Sequence, residues 1–264
     1  MRMRPLKLAA LLSLGLAAAC TTTPTGRSQL MLVSEADMDR MGATAFAQVK
    51  AGGKVSRDAN ATRYVNCVAR AVIAQLPGPE RSKAWEVVLI DDASANAFAL
   101  PGGKVGVHTG LLKVAANQDQ LASVIGHELG HVTSRHAAER VSNQFATDSA
   151  LQVLNSATGG ERQQLMGLLG LGAQAGIALP FSRQHESEAD VLGQRYMANA
   201  GFDPRAASVL WQNMAKQAGG SRPPAFLSTH PDPARRIQTL AAAAPSLMPA
   251  YEQARAAGRR PNCR

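Results

Sequence analysis

Aromatic residues are scarce in this chain: two Trp, three Tyr and six Phe make up 4% of 264 residues. So few rings leave little material for a stacking platform under single-stranded nucleic acid. Basic residues outnumber acidic ones, 28 to 19, yet no five of them stand in a row. Three of these charges, Arg2, Arg4 and Lys7, lie ahead of Cys20, where no acid offsets them. The rest is spread thinly, as on a solvated basic surface, and no nucleic-acid partner is expected. No internal repeat and no shift of composition marks a second domain, and 45% hydrophobic content suits one globular core. Cysteine is limited to Cys20, Cys67 and Cys263.

What is present begins with an address. The basic n-region is followed by a short apolar stretch from Leu8 to Leu16 and by Ala17-Ala18-Ala19 directly before Cys20. The apolar stretch is too short for a bilayer span, which takes about 20 residues. Small residues followed at once by cysteine resemble the lipobox of bacterial lipoproteins, although Ala17 stands where Leu is usual. The segment 1–19 is therefore read as a lipoprotein signal peptide and Cys20 as the lipidation site. Residues 20–31, small and polar, are read as a tether to the membrane, and 32–264 as the folded domain. Acylation of Cys20 leaves Cys67 and Cys263 as an even pair that an oxidising compartment would join. Thr21 after Cys20 favours the outer membrane.

Along the domain, Ser34 caps a helix with an acid three residues on, and a second helix spans about Ala59 to Gln75 before Pro77-Gly78-Pro79. Residues 85–90, 98–100 and 104–109 read as short strands. Asn117 caps a long amphipathic helix whose apolar positions, Leu121, Val124, Ile125, Leu129 and Val132, predict continuation past Arg140. Gly159-Gly160 breaks the chain, and 161–179 reads as a buried helix. Further helices start at Ser182, at Asp203-Pro204 and at Asp232-Pro233, the last running through Leu240; a loop spans Gly219 to Pro224. The chain is mainly helical, with a small sheet confined to about residues 85–110.

The decisive segment is His127-Glu128-Leu129-Gly130-His131. Helical residues four apart share a face, so both imidazoles can reach one Zn²⁺ at ~2.0–2.1 Å. Glu128 is rotated off that pair, in reach of a water that zinc acidifies to a pKa of about 7. The pattern arises by chance in roughly one chain in a hundred of this length. Two histidines need a third ligand. His136 is five residues beyond His131 and reads as an ordinary surface histidine. Glu186 and Asp190 are four apart on one face, which favours Glu186 as ligand and Asp190 as the partner of a ligand imidazole; Glu188 is out of phase and reads as solvated.

H-E-L-G-H followed by P-F-S-R-x-H-E-x-E-A-D-x-L-G resembles the gluzincin family that includes HtpX and the CAAX prenyl proteases, metallopeptidase family forty-eight. Residues 96–103, Ser228-Thr229-His230-Pro231 and Arg236-Ile237 extend the likeness over about Leu32 to Leu240; His108 departs from it, in a strand that usually carries an apolar or aromatic residue there. The resemblance implies an α+β, mainly helical gluzincin-type zincin fold with a small β-sheet beside the active-site helix. It implies one Zn²⁺ on His127, His131 and Glu186, with Asp190 behind them and His230 and Arg236 near the metal. In periplasmic relatives the histidine corresponding to His230 can take the fourth position on the metal. By their own chemistry His230 and Arg236 could donate to an oxyanion. The strand over Gly103, Lys104, Val105, Gly106 and Val107 is expected as the edge on which an extended substrate pairs.

These readings converge on a zinc endopeptidase that degrades misfolded or misassembled cell-envelope proteins, lipid-anchored on the periplasmic side. The rival is a non-proteolytic chaperone or assembly factor on the same fold. Glu128 opposes it, because a binding module has no use for that acid.

Overall fold

The computed structural model describes residues 20–52, 54–157, 181–218 and 225–264. The leader over 1–19, the apolar stretch over 161–179 and the loop from Gly219 to Pro224 lie outside the described residues. Strands β1 (Cys20–Thr22) and β2 (Ser28–Leu30) open the chain as an antiparallel pair. Residues 20–31 were expected as a tether, yet this hairpin packs on the domain, with Thr23 and Gln29 buried.

Helices α1 (Glu35–Ala51) and α2 (Ala59–Ile73) follow, capped by the side chains of Ser34 and Asp58, each of which accepts backbone N–H groups of the first turn. The short α3 (Gly78–Arg81) precedes strands β3 (Glu86–Ile90), β4 (Ala97–Leu100) and β5 (Lys104–His108). The sheet order is β3-β5-β4, with β5 parallel to β3 and antiparallel to β4. A 3₁₀ turn over Thr109–Lys113 leads to α4 (Gln118–Thr133), whose cap Asn117 accepts from the N–H of Gln120.

The long helix expected past Arg140 is two helices. Arg135 adopts a left-handed backbone with φ 55°, which ends α4 and starts α5 (His136–Ala157) in a new direction. Apolar periodicity resumes on the far side, so the turn leaves no trace in it. Then come α6 (Arg183–Asn199), α7 (Ala206–Ala218), the single turn α8 (Phe226–Thr229) and α9 (Pro233–Ala256). Helix α9 runs on past Leu240 with Pro245 and Pro249 inside it, burying Leu240, Ala244 and Ala254.

One apolar core joins these elements. Val65, Val68 and Val72 of α2 meet Val105 and Val107 of β5, Leu121, Ile125 and Leu129 of α4, and Met197 of α6. Cys67 and Cys263 are joined by a disulfide that ties the C-terminal tail to α2.

Candidate metal centre

The site is built on the crossing of α4 and α6. A Cβ added at Gly126 would lie 2.7 Å from the carbonyl oxygen of Gly193, and one at Gly130 would lie 2.8 Å from that of Ala189. Only hydrogens at these positions let the backbones come so close. The approach sets His127 and His131 of α4 against Glu186 and Asp190 of α6. His127 Nε2 is 3.0 Å from His131 Nε2 and 3.1 Å from His230 Nδ1. Glu186 Oε1 is 2.9 Å from His230 Nδ1 and 3.5 Å from His131 Nε2. One ligand atom from each of these four buried residues lies within 4.8 Å of all the others. The edge of a tetrahedron around a metal with bonds of ~2.0–2.1 Å is roughly 3.3 Å, so the spacing suits one zinc-sized ion.

The electrostatics suit a cation too. Burial pushes His131 down to about 4 and, helped by Arg236, holds His127 well below its ordinary value. Both imidazoles are therefore neutral and present lone pairs. Burial raises the Glu186 carboxyl, but the imidazoles of His131 and His230 against it outweigh burial and keep the group ionised. Behind the cluster, His127 Nδ1 is 3.0 Å from Asp190 Oδ1. Glu128 accepts the N–H of Ala99 on Oε2 at 3.2 Å, while its buried Oε1 has no hydrogen-bond partner and lies 3.4 Å from His230 Nε2. Burial raises Glu128 to about 7. An orphaned carboxylate oxygen beside three nitrogen donors and one ionised carboxylate fits a zinc site with a water to hold.

The model of the family described as Peptidase family M48 matches residues 59–244. The chain belongs to this family. Its members are zinc metallopeptidases, and the cluster of His127, His131, Glu186 and His230 is able to bind such a metal. The chain is 40% identical over 180 residues to the mitochondrial metalloendopeptidase OMA1 of Schizosaccharomyces pombe, covering 68% of this chain and 52% of that one. It is 32% identical over 208 residues to the beta-barrel assembly-enhancing protease of Escherichia coli K12, covering 75% and 42%. The chain thus spans about half the length of the curated relatives it matches.

Within this M48 domain, several residues sit where the sequence did not put them. Arg236 was expected to face an oxyanion. Its Nε donates to Asp190 Oδ2 at 2.8 Å, its Nη1 donates to Glu186 Oε2 at 2.6 Å, and Nη2 meets Asp190 Oδ1. With one face stacked 3.7 Å from the Trp211 ring centroid, the guanidinium braces these carboxylates. The segment Gly103, Lys104, Val105, Gly106 and Val107 was expected to be a sheet edge. Strand β5 is central instead, its hydrogen bonds spent on β3 and β4. The edge nearest the cluster is β4: Asn96 accepts from His108 N, so Phe98 and Leu100 pair inward while the backbone of Ala97 and Ala99 points away from β5. His136, read as a surface residue, is fully buried against His131, and Glu188, read as solvated, is buried against His136 and the hairpin. His108 hydrogen-bonds Ser94 Oγ at 2.8 Å and stands apart from the cluster.

Proposed function

We propose that this chain is a zinc endopeptidase of misfolded or misassembled cell-envelope proteins, with His127, His131 and Glu186 as ligands and Glu128 as general base. The observation that carries the reading is the unpartnered Oε1 of Glu128 beside the cluster. Zinc, when bound, supplies a Lewis acid that polarises a peptide carbonyl and acidifies a water. The chain's own part is to take that water's proton at Glu128 Oε1 and to hold it for the leaving amine. The N–H of Ala99 fixes the other oxygen and so aims Oε1. Asp190 fixes the ring of His127, and Arg236 fixes both Asp190 and Glu186. Substrate would pair with β4 at the outward carbonyl of Ala99, whose N–H is taken by Glu128, and such pairing reads main chain rather than side chains and suits unfolded polypeptides. His230 Nδ1 lies among the candidate ligand atoms and would hold the position that water must enter.

Envelope substrates are supported by the relative named for enhancing beta-barrel assembly. Among the described residues no helix is long and apolar enough to cross a membrane. We infer attachment through lipid on Cys20, on the periplasmic side and at the outer membrane, as in compact lipoprotein members of the family. Casein digestion by wild type and Glu128→Gln, with zinc measured on both, tests the enzyme reading. The variant should keep zinc and fold and lose at least the ~10²–10⁴-fold that proton transfer contributes. Cleavage by a metal-loaded variant would remove the mechanism, and a wild type that binds zinc and unfolded protein without cutting it would favour the chaperone.

A further inference from the structure

Behind His131 lies a buried polar chain that the proposed reaction does not use. The left-handed turn at Arg135 folds the first residue of α5 back on the end of α4, so His136 Nδ1 lies 2.9 Å from His131 Nδ1. On its other side His136 Nε2 lies 3.2 Å from Glu188 Oε2. Glu188 is held in turn by the N-terminal hairpin: Thr23 Oγ1 donates to Oε1 at 2.5 Å, Thr25 Oγ1 donates to the same oxygen, and Arg27 Nε donates to Oε2 at 2.6 Å. The rest of the Arg27 guanidinium forks onto Glu139 at 2.6 Å through each of Nη1 and Nη2. His185 Nε2 contacts the same Glu139 at 3.0 Å and its ring stacks on that of His136.

One set of proton positions satisfies every link. His131 turns Nε2 to the ligand cluster, and a ligand nitrogen must offer a lone pair, so the proton sits on Nδ1. That N–H donates to His136 Nδ1, which leaves the proton of His136 on Nε2, donated to Glu188. Glu188 can take it only as a carboxylate, and two hydroxyls and an arginine hold it in that form. The opposite tautomers would aim an N–H of His131 into the cluster. His127 is supported more directly, with Asp190 on its Nδ1, Arg236 on Asp190, and Arg236 Nη2 itself 2.9 Å from that Nδ1. Arg27 braces the carboxylate behind His131 and His136, as Arg236 braces the one behind His127.

We propose that His136 and Glu188 are positioning residues for the metal ligand His131, and that the hairpin holds this chain in register through Thr23, Thr25 and Arg27. The inference rests on His131 being a ligand. It makes zinc affinity depend on how the segment next to Cys20 is docked, although Arg27 reaches the cluster only through Glu188 and His136. Outer partners of ligand histidines change metal affinity by roughly 10–100-fold when removed.

The test is zinc affinity by chelator competition on the full chain, with the melting temperature of the zinc-free protein as a separate readout. Arg27→Gln and His136→Phe should weaken zinc by about 10–100-fold. Arg205→Gln, which breaks an exposed pair with Asp203, should leave it unchanged. Should either variant fail to fold, Thr23→Val removes a single hydroxyl from Glu188 and should weaken zinc in the same direction. A purely structural hairpin would lower the melting temperature of the zinc-free variants and leave their zinc affinity within about twofold of wild type; that result overturns the proposal. A wild type that binds zinc without hydrolysing protein would sink the protease reading alone, since the affinity series decides this one independently.

Discussion

Replacing Gly193 with alanine tests whether helix approach sets the metal geometry. A Cβ there would lie 2.5 Å from the backbone nitrogen of His127 and 2.6 Å from the carbonyl carbon of Gly126. Both atoms are main chain of α4, so no rotamer change relieves the clash. Reaching ordinary carbon contact at ~3.5 Å requires α4 and α6 to part by about 1 Å. Overpacking of this kind costs about 1–3 kcal/mol, offset by the ~0.8–1.0 kcal/mol by which alanine exceeds glycine in a helix. The net loss, about 0–2 kcal/mol, lowers the melting temperature by at most several degrees at ~2–4 °C per kcal/mol. The metal site should suffer more, because α4 carries His127 and His131 while α6 carries Glu186. A displacement of ~1 Å is enough to cost about 10²-fold in rate, and zinc affinity should fall at least tenfold. Gly52→Ala is the control: the added Cβ meets the oxygen of Val49 at 3.4 Å, an ordinary contact. Chelator competition, casein turnover and thermal melting on the two variants decide it. Wild-type zinc affinity and turnover in Gly193→Ala would refute the argument.

Three further outcomes follow from the same geometry. Cys263→Ala, or reduction of the Cys67–Cys263 bridge across 196 residues, should destabilise the fold by about 2–4 kcal/mol in denaturant melts; equal stability with and without reductant would show that the closed loop contributes nothing. In zinc-free protein, Glu128 raised from 4.5 to about 7 binds its proton more tightly folded than unfolded. Its contribution is therefore full below about pH 4.5 and is lost as pH rises through 7, a change of about 3 kcal/mol, so Glu128→Gln should raise the melting temperature at pH 8 and leave it unchanged at pH 4; equal shifts at both would refute this. His230→Ala should raise basal proteolysis, because its Nδ1 stands in the ligand cluster, whereas a fall of about 10²-fold or more would reassign it to the oxyanion.

The centre was legible because its geometry is local. Four-residue spacing puts His127 with His131 and Glu186 with Asp190, and the caps at Ser34, Asn117 and Ser182 fix helix starts within one turn. What pairs across the fold left no such mark. Glu188 is out of phase with Glu186 on the metal face, and this phase aims it at Thr23, 165 residues away. His136 looked free because a continuous helix would point it outward, and only the left-handed Arg135 turns it back. Three strands were readable as strands, but β5 enters between two strands that precede it, and alternation of side chains carries no information on that order. Arg236 was expected near the metal from the resemblance alone; its bonds to Asp190 and Glu186 were not legible, since which acceptors its fork finds depends on where α9 docks.

The two ligand imidazoles on α4 are supported from opposite ends of the chain. Arg236 comes from the start of α9 and reaches His127 both directly and through Asp190, while Arg27 comes from the opening hairpin and reaches His131 through Glu188 and His136. Each arginine also binds a second carboxylate, Glu186 or Glu139, so neither can shift without loosening a neighbour. Full metal affinity, on the proposed reading, needs both. Tying the two imidazoles to Arg236 and Arg27 makes metal affinity, on that reading, a property of the assembled domain and not of α4 alone.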